Sequence, residues 1–236
     1  MHMQTAIITG ATQGIGKAIA ERFLKEGLSI AFCARNEEKV ADLSLRWKTT
    51  YPNAQIYGFV ADLSKTEEVN NFAKKCLIVF TKIDILVNNT GTYLPGLIAH
   101  EPDGLLTKMI ETNLFSAYNL TRAILPTLLK QKTGHIFNMC SIASLRAYPN
   151  GGAYSISKYA LMGFSENLRE ELKDKGIKVT AICPGATYTP SWEGSGVSPD
   201  RIMEANDIAT MVWSASQLSP GANVETIILR PQLGDL

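Results

Sequence analysis

Gln4-Thr5-Ala6-Ile7-Ile8-Thr9-Gly10-Ala11-Thr12-Gln13-Gly14-Ile15-Gly16 runs from a short apolar stretch, through a turn bearing three glycines, into an amphipathic one. Six residues of mostly β-branched and apolar type read as a buried strand, and the pattern from Ile15 onward reads as a helix. Glycines between them permit a tight turn. They also let backbone amides and the positive helix N-terminus approach a pyrophosphate. A strand before the turn and a helix behind it favour a dinucleotide over a merely structural turn.

The rest of the chain repeats this unit. Short apolar runs near 4–9, 28–34, 55–61, 84–88, 134–140, 177–182 and 224–229 alternate with helical patterns at 15–26, 37–49, 65–80, 104–131, 153–175 and 206–217. Such alternation predicts an α/β fold, a doubly wound parallel seven-stranded sheet with helices on both faces. Asp103 and Asn206 stand where helix N-caps are expected. With 236 residues, 45% of them apolar, and no linker, repeat or low-complexity tract, one domain spanning 1–236 is expected.

A net charge of +1 supplies no basic field for nucleic acid and no charged block for a membrane surface. A small-molecule ligand is expected. Cys33, Cys76, Cys140 and Cys183 are widely spaced, which suggests neither a disulfide framework nor a metal cluster. His2, His100 and His135 have no ligand spacing either, so no metal is expected. The first strand begins at once, leaving no room for a signal peptide, and no apolar run is long enough to span a bilayer. The expectation is a cytoplasmic protein.

Candidate cofactor contacts lie at successive strand ends. Thr12, Gln13 and Ile15 share the glycine turn with Gly10, Gly14 and Gly16. A site for NAD carries an acidic residue about 20 positions further on, to hold the ribose 2′-hydroxyl. Here the place is taken by Ala34-Arg35-Asn36. A guanidinium pairs with a 2′-phosphate and alanine leaves room for it, so NADP(H) is favoured, against an alternative in which Arg35 pairs with Glu38. Asp62, beside Leu63 after the third strand, suits the adenine amino group or an N-cap. Asn88-Asn89-Thr90-Gly91 ends the fourth strand and can hold the central backbone near the cofactor.

The chemistry is placed at Cys140-Ser141-Ile142-Ala143 and Tyr154-Ser155-Ile156-Ser157-Lys158. On a helix, Tyr154 and Lys158 share one face. A neighbouring ammonium favours the phenolate, which makes the pair an acid-base candidate. Ser141, 13 residues before Tyr154, closes an apolar strand whose carboxyl end faces the ligand crevice. Asn113 is an amide inside an apolar helical stretch; either it caps something locally or the helix is interrupted there.

In this order and spacing, these residues resemble the short-chain dehydrogenase/reductase superfamily over almost the whole chain. Gly10, Gly14 and Gly16 match its glycine motif, Asn88 to Gly91 its Asn-Asn-Ala-Gly with Thr90 for alanine, and Asn113 its catalytic asparagine. Ser141 matches its serine, Tyr154 and Lys158 its Tyr-x-x-x-Lys, and Pro184-Gly185-Ala186-Thr187-Tyr188-Thr189 its Pro-Gly segment. The resemblance implies a Rossmann sheet of order 3-2-1-4-5-6-7 and hydride transfer between NADP(H) and a carbonyl or alcohol carbon. It implies that Tyr154 protonates the carbonyl oxygen, Ser141 holds it, and Lys158 lowers the tyrosine pKa and bonds the nicotinamide ribose. Asn113 would hold a water feeding Lys158, while Thr187 and Thr189 would bound the carboxamide pocket and a phosphate. In the family the two long helices pack on a partner subunit, implying a homodimer, with a tetramer possible.

Many members, fatty-acid 3-oxoacyl reductases among them, end in a Val-Asp-Gly-Gly tail; this chain ends instead in Leu229-Arg230-Pro231-Gln232-Leu233-Gly234-Asp235-Leu236. Only 16 residues separate Thr189 from Asn206. With Tyr188-Thr189-Pro190-Ser191-Trp192, these features look like the bacterial sepiapterin-reductase-like branch. Tyr93, Tyr148, Tyr188 and Trp192 fall on loops around the nicotinamide, suiting a flat or apolar carbonyl substrate, although packing or a subunit contact serves any of them equally. The expectation is an NADP(H)-dependent reductase of a ketone, diketone or pterin side chain. A 3-oxoacyl-carrier-protein reductase and a non-catalytic NADP(H)-binding regulatory protein are the alternatives.

Overall fold

A computed structural model describes residues 3–192 and 194–236; Met1, His2 and Glu193 lie outside the described residues, and with them the expectation for His2. The glycine turn joins β1 (Thr5–Thr9) to α1 (Gly14–Lys25). There follow β2 (Ser29–Ala34), α2 (Glu37–Thr50), β3 (Ile56–Val60), α3 (Thr66–Val79), β4 (Ile85–Asn88), α4 (Leu105–Ile110) and α5 (Ser116–Gln131). The chain continues through β5 (Gly134–Met139), α6 (Gly152–Leu172), β6 (Ile177–Pro184), α7 (Ala205–Ser216) and β7 (Thr226–Leu229). Among the described residues these strands form one parallel seven-stranded sheet in the order β3-β2-β1-β4-β5-β6-β7.

The central strands are apolar on both faces because each face is covered. Ile8, Ile30, Phe32, Val87 and Phe137 bury against α1, α2 and α7, while Ile7, Ala31, Leu86 and Ile136 bury against α3, α5 and α6. The order reverses between β1 and β4, so their carboxyl ends diverge into the crevice where such sheets bind ligands. Asn88 and Asn138, at the same register, pin that crevice from below. Asn88 Nδ2 donates to Asn138 Oδ1 at 2.8 Å and to Thr121 Oγ1 at 2.9 Å.

Two expected caps are replaced. Gly104 precedes α4 in the left-handed region (φ 82°) with no side-chain cap, so Asp103 does not hold that helix. Glu204, paired reciprocally with Asp207, caps α7, and Asn206 falls inside it. The expected helix 104–131 is divided by a π-helical turn over Glu111–Phe115. That wider turn carries Asn113, and such insertions gather at functional sites.

Candidate active site

The glycine turn is shaped by close approach. A Cβ on Gly16 would lie 2.3 Å from Asn89 Nδ2 and 2.4 Å from the Gly10 carbonyl oxygen, so no larger residue fits the turn as it stands. Asn89 is there because its amide donates to the Thr9 and Gly10 carbonyls at 2.9 and 3.1 Å. The Thr9 hydroxyl in turn accepts both Asn89 N–H and Thr90 N–H at 2.9 Å. Gly10 and Gly14 have φ of 63° and 55°, conformations that glycine adopts without strain. Gln13 precedes α1 without capping it by its side chain, and the first turn holds no acid, leaving a positive helix end at the crevice. These features fit a dinucleotide phosphate.

At the far edge of the turn Arg35 is exposed and, among the described residues, makes no ion pair with Glu38. Asp62 is held below the ordinary carboxyl range despite its partial burial, chiefly by the Ser64 hydroxyl and amide and also by the Arg35 and Lys65 charges. Its Oδ1 accepts Ser64 N–H at 3.1 Å and Ser64 O–H at 2.8 Å, while Lys65 is the residue that precedes α3. The N-cap reading of Asp62 is thereby corrected: it closes a local turn. Asn36 caps α2, its Oδ1 accepting Lys39 N–H at 2.7 Å. Leu63 is buried in the α3 side of the core. Lys39 was not singled out in the sequence. Its Nζ donates to Gln13 Oε1 at 3.0 Å, setting a second cation at this edge, and its position four residues after Arg35 on a helix start was the available signal.

The other wall joins Asn113, Ser141, Tyr154 and Lys158. β5 ends at Met139, and Ser141 caps a single 3-10 turn over Ile142–Ser144. Its Oγ accepts Ala143 N–H and its own N–H donates to Ser144 Oγ, each at 3.1 Å. That fixes the Ser141 hydroxyl, which faces the Tyr154 phenol and favours its ionised form. Ser155 Oγ donates to Ala143 O at 3.0 Å and so ties α6 to the same turn. Asn113, fully buried, receives Thr92 N–H at 2.7 Å and donates to Thr92 O at 3.1 Å and Ser157 Oγ at 2.9 Å. Of the two alternatives for Asn113 the interrupted helix holds, and the amide makes no local cap but clasps the segment after β4, 21 residues away.

Lys158 lies over the Tyr154 ring with Nζ 6.0 Å from its centroid, and donates to Met139 O at 2.7 Å. Burial pushes its ammonium below the usual lysine range. Burial likewise pushes the Tyr154 phenol up to about 12, opposed by the Ser141 hydroxyl that faces it. The expected depression of the tyrosine by Lys158 is therefore corrected: desolvation prevails, and the phenol is held protonated at neutral pH.

Of the expected aromatic lining, Tyr93 meets Tyr154 edge-on, with centroids 4.8 Å apart at 85°, and Tyr148 stands near both. Tyr188 and Trp192 sit on the loop after β6, where Tyr188 N–H donates to Met203 O at 2.7 Å and Trp192 N–H to Thr189 O at 2.9 Å. That loop returns toward the glycine turn. Pro184 ends β6, Gly185 N–H donates to Leu229 O at 2.8 Å, and Thr187 Oγ1 to Gly185 O at 3.0 Å. Thr189 Cγ2 lies 3.0 Å from where a Gly14 Cβ would stand. Gly91 is equally confined, with Asn113 Oδ1 3.2 Å and Lys158 Nζ 3.4 Å from its would-be Cβ.

The family model described as short chain dehydrogenase matches residues 4–197. An uncharacterised oxidoreductase of Staphylococcus epidermidis is 32% identical over 228 residues, covering 97% of each chain. A diacetyl reductase, (S)-acetoin forming, of the same organism is 34% identical over 191 residues, covering 80% of this chain and 74% of its own. In structure, the alcohol dehydrogenase of Thermococcus sibiricus, complexed with 5-hydroxy-NADP, superposes with a TM-score of 0.91 at 26% identity, covering 100% of this chain and 99% of that one. The fold agrees with these matches, and the chain belongs to the short-chain dehydrogenase family of NAD(P)-dependent oxidoreductases.

Proposed function

We propose that the protein is an NADP(H)-dependent carbonyl reductase in which Tyr154 delivers the proton. The observation that carries this reading is the convergence at Tyr154, whose ring centroid lies 6.0 Å from Lys158 Nζ and whose phenol faces a Ser141 hydroxyl fixed by its own turn. Two O–H groups from different elements converge where a carbonyl oxygen would sit. As charge develops on that oxygen, Ser141 holds it and Tyr154 gives up its proton. Lys158, anchored on Met139 O, keeps a cationic donor beside the phenol and steadies the phenolate as it forms. Asn113, locked by Thr92 and Ser157, fixes the wall behind Lys158.

Gly10, Gly14, Gly16 and the N-terminus of α1 would hold the cofactor's phosphates, Asp62 its adenine, and Thr187 and Thr189 its nicotinamide end. NADPH, when bound, supplies the hydride. Arg35 and Lys39 at the ribose edge, with no acid in that place, support NADP(H) over NAD(H). Tyr93 and Tyr148 beside Tyr154 support a flat or apolar ketone or diketone. Phe115, Tyr118, Ile156 and Tyr159 lie exposed around α5 and α6, which supports a homodimer through these helices. The test is NADPH oxidation against diacetyl, 9,10-phenanthrenequinone, a pterin ketone, a ketosteroid and a 3-oxoacyl thioester. Turnover of at least one by the wild type, lost in Ser141→Ala with NADPH affinity retained, is expected. No turnover of any of them would set the reading aside.

A further inference from the structure

α6 carries Tyr154 and Lys158, yet it begins without a cap of its own: Gly151 precedes it and supplies no side-chain acceptor. A helix start leaves backbone N–H groups that need partners. The partner comes from 52 residues away, where Glu101 Oε1 accepts Ala153 N–H at 2.8 Å. Ala153 is the residue before Tyr154. Glu101 lies at the end of the loop after β4, the same loop that carries Tyr93, and a carboxylate there also complements the positive end of the helix.

The backbone around this contact is built to admit the carboxylate. Gly152 has φ 43°, and a Cβ on it would fall 2.0 Å from Glu101 Oε1 and 2.5 Å from the Gly96 carbonyl oxygen. Gly96 N–H donates to Asn150 O at 3.0 Å, and Asn150 itself takes the left-handed conformation at φ 60°. Gly151 N–H donates to Tyr148 O at 3.1 Å. The loop after β4 and the loop before α6 are thus interlocked, and they bring Tyr93 and Tyr148 to the Tyr154 ring.

We infer that Glu101 is a positioning residue for the reaction: by capping α6 it fixes the loop after β4 and holds Tyr93 edge-on against Tyr154, which sets where the phenol stands. The inference rests on Tyr154 being the proton donor. Glu101 touches none of the reacting atoms, so its effect passes through Ala153, Gly96 and Tyr93.

The test compares Glu101→Ala with Glu101→Gln, which keeps an acceptor oxygen at the same reach. Hydrogen exchange read by mass spectrometry on the NADPH-saturated full chain reports the cap directly. Peptides covering 150–158 should exchange about tenfold faster in Glu101→Ala and within about threefold of wild type in Glu101→Gln. With diacetyl or 9,10-phenanthrenequinone, whichever the wild type reduces faster, kcat per NADPH-binding site should fall about tenfold in Glu101→Ala. KM for NADPH should stay unchanged, and Glu101→Gln should recover most of kcat. In a Tyr93→Ala background Glu101→Ala should have little further effect, because the same contact is already gone. Unchanged exchange in Glu101→Ala, or equal kcat loss in Ala and Gln variants, would overturn the inference. Tyr154→Phe run in parallel separates the two failures: if it stays active, the assignment of the proton donor falls, whereas an inactive Tyr154→Phe with a fully active Glu101→Ala removes only the role of Glu101.

Discussion

Adding one methyl group at Gly16 tests whether the cofactor turn is as rigid as its contacts imply. A Cβ there would stand 2.3 Å from Asn89 Nδ2 and 2.4 Å from Gly10 O. The carbonyl belongs to the turn itself and cannot swing away, so the Asn89 side chain or the whole turn must move. Overpacking of this kind costs about 1–3 kcal/mol. Expelling Asn89 also breaks its two hydrogen bonds to Thr9 and Gly10, roughly 1 kcal/mol each. A loss of about 3 kcal/mol is expected, which for a chain of this size lowers Tm by roughly 6–12 °C. Gly221→Ala is the matched control: nothing lies within 4 Å of its would-be Cβ and its φ is outside the left-handed range, so the change should stay within about 1 kcal/mol of zero. Thermal melting by circular dichroism gives both shifts, and NADPH fluorescence titration should show Gly16→Ala binding at least about tenfold more weakly, roughly 1.4 kcal/mol. A Gly16→Ala protein that melts and binds like wild type would refute the close-approach reasoning.

Arg35→Ala should remove most of an NADPH preference over NADH that is at least about tenfold in the wild type, measured by fluorescence titration; equal wild-type affinities would count against Arg35 as the phosphate partner. His135 sits in the core at 5% exposure, its Nε2 against Thr180 Oγ1 at 2.7 Å. Burial, with the Lys178 charge, lowers its pKa from 6.5 to about 3. The unfolded chain therefore takes up a proton below pH 6.5 that the folded one refuses, so this stability is present above 6.5 and is lost as pH falls toward 3. By pH 5 the loss is about 2 kcal/mol. Urea unfolding at pH 7 and pH 5 should show it, and His135→Leu should flatten the difference; an unchanged difference would place the acid sensitivity elsewhere. Sedimentation should find a homodimer at micromolar concentration, and a monomer would remove α5 and α6 as an interface.

The fold was legible because each strand from Thr5–Thr9 to Ile177–Pro184 is a compact apolar run bounded by turn residues, and periodicity needs only local sequence. The site was legible wherever partners are four residues apart, as with Tyr154 and Lys158, or close a strand, as with Ser141 and Asn89. Caps were misplaced at Asp103 and Asn206 because the cap chosen depends on loop geometry: a left-handed Gly104 and a reciprocal Glu204–Asp207 pair served instead. Glu101 could not be found from sequence, since its partner Ala153 lies 52 residues on and is met only through folding. The tyrosine pKa was misjudged for a related reason. Sequence spacing shows that an ammonium is near but not how much water both groups lose, and here that loss lifts the phenol to about 12.

If the Tyr154 hydroxyl is the proton source, Tyr154→Phe removes that group alone. Single-turnover NADPH oxidation, on the carbonyl compound the wild type reduces fastest, is the direct measurement. Folding and NADPH affinity should be unchanged, with the rate reduced at least about 10²-fold. A Tyr154→Phe protein that oxidises NADPH at near the wild-type rate would contradict that role.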